Sequence, residues 1–298
     1  MALRAANLVL VTMVVQGADS RRSSLPNRAA TRGARLAIDN DIYDRVGDGW
    51  WDEMNPLNIL HGSITPGRFA YFHDVLTNRL GLDLPNLRAL DIGSGGGFLA
   101  EEFARLGCRV VGVDPSEVSI DAARRHVAGT DLQVEYRVGS GEQLPVGDSE
   151  FDIAYCCDVL EHVSDLDAVI GETARALKPE GVFLFDTLNR TLASKLIAIK
   201  VMQEWRLTRI TDAAIHDWAM FIKPEELVAA LGRHWLHIGE IVGLGPRSSK
   251  VRTVMSFISA NRGWISYGEL SRSLDVGQVK TRSVSYMGYA TKDAGRSQ

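Results

Sequence analysis

Short apolar runs alternate with amphipathic stretches along most of the chain from residue 87 onward. The apolar runs predict seven buried strands, at residues 87–92, 109–113, 132–138, 151–157, 181–188, 236–242 and 283–289. Apolar residues at helical spacing predict helices at 98–106, 117–127, 166–177 and 224–231. This rhythm predicts an α/β fold, in which a doubly wound, mostly parallel seven-stranded sheet is covered by helices on both faces.

Two segments, at about 190–221 and 243–282, interrupt the rhythm and are predicted to be lid insertions, since long insertions in a compact domain are usually functional. In the first, helical spacing predicts one apolar stripe, made of Leu192, Leu196, Ile199, Met202 and Trp205. An ordinary helix packed on the core is the alternative interpretation of this stripe.

Composition fits one large domain, which we place at residues 37–298. The chain has 298 residues, of which 45% are hydrophobic and 23% charged, so it can bury a sizeable core. The net charge of −4 lacks the basic excess of a nucleic-acid-binding protein. The three cysteines, Cys108, Cys156 and Cys157, have neither a disulfide framework nor zinc spacing and indicate a reducing compartment.

Residues 1–36 differ from the rest of the chain. An apolar run at 8–15 is too short to span a bilayer, and five arginines follow it between residues 21 and 35. An arginine-rich, acid-poor leader is typical of an organelle transit peptide, and a disordered tail is the alternative. We therefore expect a cytoplasmic protein, or an organellar one if the leader is a transit peptide.

A glycine-rich turn follows the first predicted strand, in the sequence Leu90-Asp91-Ile92-Gly93-Ser94-Gly95-Gly96-Gly97. Glycine lets a backbone approach a ligand closely, and the amides at the start of the next helix can bind polar groups of that ligand. Such a turn predicts a nucleotide-like ligand at the carboxyl edge of the sheet. Gly93 and Gly95 are the candidate contacts.

Two acidic residues help to identify the ligand that this turn would bind. Asp114 closes the second strand, where a carboxylate can accept hydrogen bonds from both ribose hydroxyls, although it could also cap the next helix. Residues 95–100 also match a dinucleotide-binding pattern. Asp91, however, ends the first strand beside the ligand, and an acid there suits the cationic ammonium of S-adenosylmethionine (SAM) better than a pyrophosphate.

Motifs later in the sequence narrow the choice of cofactor and of family. Ser140-Gly141-Glu142-Gln143-Leu144-Pro145 and Phe151-Asp152-Ile153-Ala154 resemble the class I SAM-dependent methyltransferases, in which the first of these loops flanks the adenine. A further set resembles the ubiquinone-biosynthesis O-methyltransferases: Trp50-Trp51-Asp52, Asp158-Val159-Leu160-Glu161-His162-Val163, Thr187-Leu188-Asn189-Arg190-Thr191 and His216-Asp217-Trp218.

The resemblance implies which residues contact SAM and thus S-adenosylhomocysteine, its product. Arg68, Gly93, Asp114 and Cys157 match contact positions of that family, and Glu142 lies in the adenine loop. Cys157 departs from the family, which typically carries methionine there, yet both residues are polarizable and apolar. Simple core packing is the alternative role for Cys157.

Asp158, Glu161 and His162 are candidate metal ligands, and Glu161 and His162, together with His216, are the candidate catalytic residues. On a helical turn, positions i, i+3 and i+4 share one face, so two carboxylates and an imidazole there could hold Mg²⁺ and lower the pKa of a catechol hydroxyl. The alternative is that Glu161 and His162 line the substrate entrance without a metal. His216 is the candidate general base, or else a histidine that holds the lid.

The resemblance implies a SAM-dependent O-methyltransferase that acts on a catechol hydroxyl of a polyprenylated quinone precursor. The segment 190–207 is then a candidate for peripheral membrane contact, where it would collect a lipid-tailed substrate. Because 243–276 is unfamiliar, a phenolic natural product stays open as the acceptor. A SAM-binding regulatory module without catalysis is the non-enzymatic alternative.

Overall fold

One mixed sheet organises the chain. The computed structural model describes residues 39–206, 208, 210 and 215–295. Within them, eight strands form the sheet in the order β3-β2-β1-β4-β5-β8-β6-β7. They are β1 Arg88–Ile92, β2 Arg109–Asp114, β3 Val134–Val138, β4 Phe151–Cys157, β5 Leu177–Leu188, β6 Leu236–Pro246, β7 Val276–Val279 and β8 Ser285–Lys292. Neighbours among the first five run parallel, whereas β8 is antiparallel to both β5 and β6.

Nine α-helices surround the sheet in the described part of the chain. They are α1 Ile42–Val46, α2 Thr65–Asp74, α3 Phe98–Arg105, α4 Glu117–Val127, α5 Leu166–Ala176, α6 Leu192–Ser194, α7 Pro224–Arg233, α8 Lys250–Asn261 and α9 Tyr267–Leu274. Helix α2 begins and ends in π-helical turns, Leu60–Ile64 and Val75–Arg79. Helix α6 continues as a π-helix, Lys195–Glu204.

The two faces of the sheet carry separate cores because side chains alternate along each strand. Ala89 faces the core that contains Phe72 on α2 and Phe103 on α3. Its neighbour Leu90 faces the other core, which is closed by α5 and α7. Strand β1 is buried along nearly its whole length, so its carboxyl end can present Asp91 and the glycine turn from a rigid base.

The predicted fold class is confirmed, and the structure adds one strand to the seven that were predicted. Strand β7 has only four residues and lies inside the second insertion, at the edge of the sheet, so its sequence carries too short a pattern to detect. It pairs with an extension of β6 that runs to Pro246. Strand β5 also begins earlier than predicted, because Leu177 pairs with Phe151 before a register shift.

The first insertion does not form the predicted stripe. Of the stripe residues, Ile199 is buried, whereas Leu192, Leu196 and Trp205 are 80%, 53% and 41% exposed. The reason is the π-helix from Lys195, whose wider turn breaks the 3.6-residue spacing on which the stripe was predicted. Three large apolar side chains therefore point to solvent.

The second insertion forms α8, α9 and β7 and packs against the start of α2. The hydroxyl of Ser271 on α9 accepts the N–H of Ser63 at 2.9 Å. Arg272 pairs with Glu53 at 2.7 Å. This insertion therefore braces the N-terminal segment that leads into α2.

No helix among the described residues is long and apolar enough to cross a bilayer. The leader predicted at residues 1–36 lies outside the described residues.

Candidate active site

The glycine turn after β1 adopts a backbone that side chains would obstruct. Gly93, Gly95 and Gly97 have φ angles of 77°, 50° and 87°, in the left-handed region that favours glycine. A Cβ on Gly97 would lie 2.2 Å from the Tyr136 hydroxyl oxygen, and one on Gly95 would lie 2.8 Å from the Trp50 ring. The glycines therefore let the turn pack closely against Trp50 and Tyr136.

Asp114, at the end of β2, fixes this turn. One carboxylate oxygen accepts the N–H of Gly95 at 2.9 Å, and the other accepts the N–H of Ser116 at 2.9 Å. Burial raises the pKa of Asp114 to about 6, although both backbone hydrogen bonds oppose the shift. The N-cap role belongs to Ser116, whose hydroxyl accepts the N–H of Ser119. Asp114 is not among the residues that line the cleft described below, and its contact with a ribose stays a prediction.

A small cleft opens at this edge of the sheet. It brings together six residues that the sequence singled out: Arg68, Asp91, Gly93, Gly95, Cys157 and Asp158. Asp91 is 3% exposed, and one of its carboxylate oxygens has no hydrogen-bond partner among the described residues. Because burial raises its pKa, Asp91 is an acid in need of a cationic or hydrogen-bonding partner.

Glu142 does not line the cleft. Its carboxylate accepts the N–H and the hydroxyl of Ser164, at 3.1 and 3.0 Å. In this arrangement Glu142 shapes the loop after β3 by holding Ser164. Its direct contact with SAM stays a prediction.

Two tryptophans cover the glycine turn from the N-terminal side. The Trp50 indole N–H donates to the Ser119 hydroxyl at 2.9 Å, and the Trp51 indole N–H donates to the Gly96 carbonyl at 2.9 Å. Tyr43 stacks on Trp50, with the ring centroids 6.2 Å apart, and meets the edge of His162 at 6.3 Å. The segment before α2 is thus part of the site, and only the adjacent tryptophan pair signalled this in the sequence.

The segment from Asp158 to His162 is not the helical turn that was predicted. Asp158 has a left-handed φ of 55°, and the N–H of His162 bonds to the Val159 carbonyl in a simple turn. The expected i, i+3, i+4 face therefore does not form. The Asp158 carboxylate instead forms an ion pair with Arg68.

Asp186, at the end of β5, explains this geometry and was not identified from the sequence. One of its carboxylate oxygens accepts the N–H of Asp158 at 3.0 Å, and the other lies 3.0 Å from the Arg68 guanidinium. Arg68 and Asp186 are 3% and 1% exposed. The only available signal was an acid ending an otherwise apolar strand, Val182-Phe183-Leu184-Phe185-Asp186.

A second group lies behind Asp158. Glu161 accepts the Thr187 hydroxyl at 2.8 Å, and donor atoms of Glu161, His162 and His216 all lie within 4.8 Å of one another. Burial and the charge of Asp158 raise the pKa of Glu161. Burial lowers the pKa of His162 to about 4 and, with His162 as a second cause, that of His216 to about 3. Both imidazoles are therefore neutral near pH 7.

The first insertion positions His216. The backbone N–H and C=O of His216 bond the Gln203 side chain at 2.8 and 3.1 Å, and its ring centroid lies 5.1 Å from that of His162. The structure thus brings together the three residues that were predicted to be catalytic, Glu161, His162 and His216. It separates the carboxylate of Asp158 from them by pairing it with Arg68.

Comparison with known proteins identifies the family. A methyltransferase domain matches residues 90–185. The chain is 36% identical over 208 residues to the ubiquinone biosynthesis O-methyltransferase of Azorhizobium caulinodans, covering 68% of this chain and 81% of the relative. It is also 36% identical over 217 residues to that of Methylobacterium nodulans, covering 70% and 86%.

The chain belongs to the ubiquinone biosynthesis O-methyltransferase family. It is accordingly a SAM-dependent methyltransferase.

Solved structures agree on the fold alone. A SAM-dependent methyltransferase from Thermotoga maritima, described as a possible histamine N-methyltransferase, has a TM-score of 0.51 and 20% identity and covers 84% of this chain and 99% of its own. The [4+2]-cyclase SpnF has a TM-score of 0.52 and 21% identity and covers 76% and 82%. Since a cyclase shares the fold, the acceptor chemistry must be argued from the site.

We expect SAM affinity to depend on pH through Asp114. If the ionised carboxylate accepts the ribose hydroxyls as predicted, binding lowers its pKa below the free value of about 6. The contribution of Asp114 to affinity should then be constant above about pH 7 and fall as the pH drops through about 6, approaching tenfold per unit. Calorimetric titration of SAM between about pH 5 and about pH 8 measures this.

The control for this prediction is Asp114→Asn, which cannot titrate. It should bind SAM more weakly and without the pH dependence. A pH dependence that survives in this variant would assign the effect to another group.

We expect Asp186→Asn to raise the KM for SAM about tenfold with a smaller change in kcat, because Arg68 and Asp158 lose their shared acceptor at the edge of the cleft. Steady-state kinetics with varied SAM measures this. Asp152→Asn is the matched control, since Asp152 pairs with Lys178 at the opposite end of β4. A loss of thermal stability with an unchanged KM would show that Asp186 stabilises the fold and has no role in SAM binding.

Proposed function

We propose that the chain transfers the methyl group of SAM to a phenolic or catechol hydroxyl of a polyprenylated quinone precursor. The observation that carries the proposal is the pair of neutral imidazoles, His162 and His216, whose ring centroids lie 5.1 Å apart behind Asp158, a residue that lines the cleft. A hydroxyl must lose its proton to attack a methyl carbon, and a neutral imidazole can accept that proton once the phenolate forming beside it raises the pKa of the imidazole.

The residues present fit SAM. Gly93 and Gly95 of the glycine turn line the cleft together with Asp91, whose unpartnered oxygen suits an ammonium group. Asp114 is our candidate for the ribose hydroxyls, since each of its carboxylate oxygens can accept a hydrogen bond beyond the backbone N–H that it already accepts. When bound, SAM supplies an electrophilic methyl carbon on a positively charged sulfur.

The chain's own contribution is to position the acceptor and take its proton. His216 is our candidate for the proton acceptor at a ring nitrogen, with His162 and Glu161 completing the wall of the site. Burial of these groups excludes water, so a hydroxyl held there reacts in an oriented, desolvated setting. Tyr43 and Trp50 close the N-terminal side.

Magnesium does not fit the donor set that this structure assembles. Mg²⁺ prefers oxygen ligands, whereas the group of Glu161, His162 and His216 offers one carboxylate and two imidazole nitrogens. The carboxylate of Asp158, which would have supplied more oxygen, is engaged by Arg68. We therefore derive no step through Mg²⁺.

Incubation with methyl-labelled SAM tests the function. We expect label to pass to a prenylated catechol or demethylquinol in preference to dihydroxybenzoates and flavonoid-type phenols. Added magnesium should leave the rate unchanged. His216→Asn should lower kcat about 100-fold, as expected for loss of a general base, with little effect on the KM for SAM.

Each contrary outcome has a distinct meaning. Transfer to flavonoid-type phenols alone would replace the quinone precursor with a phenolic natural product. SAM binding without turnover on any acceptor would favour a regulatory module. Turnover that requires magnesium would show that a metal takes part in the reaction. Asp158, Glu161 and His162 would then have to rearrange in order to bind it.

A lipid-tailed acceptor needs access from a membrane, and we propose that residues 190–207 contact one peripherally. The exposed side chains of Leu192, Leu196 and Trp205 support this contact, since they have no apolar partner that would bury them. Leu196→Glu should weaken association with phospholipid vesicles in a flotation assay and leave SAM affinity unchanged. Unchanged vesicle association would count against the contact.

A further inference from the structure

Tyr43 on α1 lies between the cleft and the group of Glu161, His162 and His216, which we call the histidine group. Its ring stacks on that of Trp50, a residue that lines the cleft, with the ring planes 3° apart and the centroids 6.2 Å apart. On its other side it meets the edge of the His162 ring at 6.3 Å, and His216 lies 5.1 Å beyond His162. Tyr43 is therefore placed where the cofactor side of the site meets the acceptor side of the proposed reaction.

Helix α1 is held in this place by contacts with α4 and with the residue that caps it. The helix has only five residues, too few to be stable without tertiary contacts. The carboxylate of Asp44 accepts the hydroxyl of Ser116 at 2.6 Å, and Asp48 forms an ion pair with Arg125 on α4. These contacts fix the position of Tyr43 relative to the carboxyl edge of the sheet.

The Tyr43 hydroxyl lies near three acids and is bonded to none of them. Burial, and then the charges of Asp158, Glu161 and Asp114, raise the pKa of Tyr43, so its hydroxyl keeps its proton near pH 7. Within the described part of the chain, this hydroxyl has no hydrogen-bond partner. The buried Nδ1 of His162 also has none among the described residues. Two polar groups that face each other's surroundings are thus free to bind an acceptor.

We infer that the Tyr43 hydroxyl donates a hydrogen bond to the acceptor oxygen as that oxygen becomes negatively charged. An oxygen that loses its proton beside Asp158 and Glu161 is destabilised by any negative charge on their carboxyl groups. A neutral donor that is already held in place opposes this cost, because it is directed at the charge that develops. Tyr43 thereby makes it easier for the acceptor to give its proton to His216.

The proton and the electron pairs balance in this step. The acceptor proton moves to a ring nitrogen of His216, and an oxygen lone pair forms the bond to the methyl carbon. The carbon–sulfur bond breaks and leaves its electron pair on sulfur. Tyr43 keeps its own proton throughout, so it acts as a hydrogen-bond donor and not as an acid. The inference rests on the proposed function, which supplies the acceptor.

The first test measures the ionisation of a bound acceptor without catalysis. The probe is a nitrocatechol that carries a prenyl chain, whose ionised form is followed by its visible absorbance as the pH is varied. The full chain is loaded with S-adenosylhomocysteine, which has no methyl group to transfer. We expect the ionisation constant of the bound probe to be about tenfold lower in Tyr43→Phe than in the unaltered chain, because a hydrogen bond to a charged oxygen is lost.

Steady-state kinetics provides the second test. With a prenylated catechol, Tyr43→Phe should lower kcat at least about tenfold. With the prenylated nitrocatechol the loss should be less than about threefold, because the nitro group already stabilises the negative oxygen. SAM affinity, measured by calorimetry, should stay unchanged, since phenylalanine keeps the ring that stacks on Trp50. A structural role alone would lower kcat equally for the two acceptors.

Tyr71→Phe is the matched control. It removes a hydroxyl on α2 that donates to Glu240 on β6 at 3.1 Å, and it should leave both measurements unchanged. Equal ionisation of the bound probe in Tyr43→Phe and in the unaltered chain would overturn the inference, as would equal losses of kcat with the two acceptors. Full activity in Tyr43→Phe together with lost activity in Tyr43→Leu would assign the effect to the ring, and the inference would again be wrong.

Failure of the proposed function has a different signature. If the unaltered chain neither binds the probe nor methylates any catechol, the acceptor class is wrong, and the inference is refuted with it. If the unaltered chain methylates a catechol and only the effects of Tyr43→Phe are absent, the proposed function stands and the Tyr43 hydroxyl has no part in it.

Discussion

The buried guanidinium of Arg68 is the contact on which the active site depends. It joins α2 to the ends of β4 and β5 through Asp158 and Asp186. A buried charge is costly unless it is paired, and removing one partner leaves an uncompensated charge in a medium of low dielectric constant. The pairing therefore fixes where α2 lies against the sheet, and with it the side of the cleft that Thr65 and Arg68 line.

One arginine does not neutralise the acids around it. Asp158, Asp186 and Glu161 lie close enough to influence one another, and the pKa values of Asp186 and Glu161 are raised by burial, with Asp158 adding to both shifts. Asp91 is a further buried acid in the cleft. The free protein therefore holds an excess of carboxyl groups at the point where a cationic ligand arrives. The two neutral histidines lie behind these acids, so the site is polar but largely buried.

Much of the fold and of the cofactor half of the site follows from local sequence. Apolar runs locate the strands, and Gly93, Gly95 and Asp114 lie at strand ends where parallel topology brings them together. Asp186 could not be recognised, because its importance depends on Arg68, which is distant in the chain and carries no pattern of its own. The Asp158–His162 segment was predicted wrongly because helical spacing was assumed where the N–H of Asp158 is held by Asp186. The stripe in the first insertion was predicted wrongly for a similar reason, because the π-helix after Ser194 does not have the spacing of 3.6 residues per turn that was assumed.

Strand β8 is the last strand in sequence, yet it lies between β5 and β6. Strands β6 and β7 reach the rest of the sheet only through it. During synthesis, β1 to β5 can assemble from the amino terminus onward, while β6 and β7 must wait for Ser285–Lys292 to emerge. The cofactor edge of the sheet can thus form before the sheet is complete. Deletion of the short segment Ser285–Lys292 would therefore remove β8 and also detach β6 and β7 from the sheet, because β8 is the strand that joins them to β5.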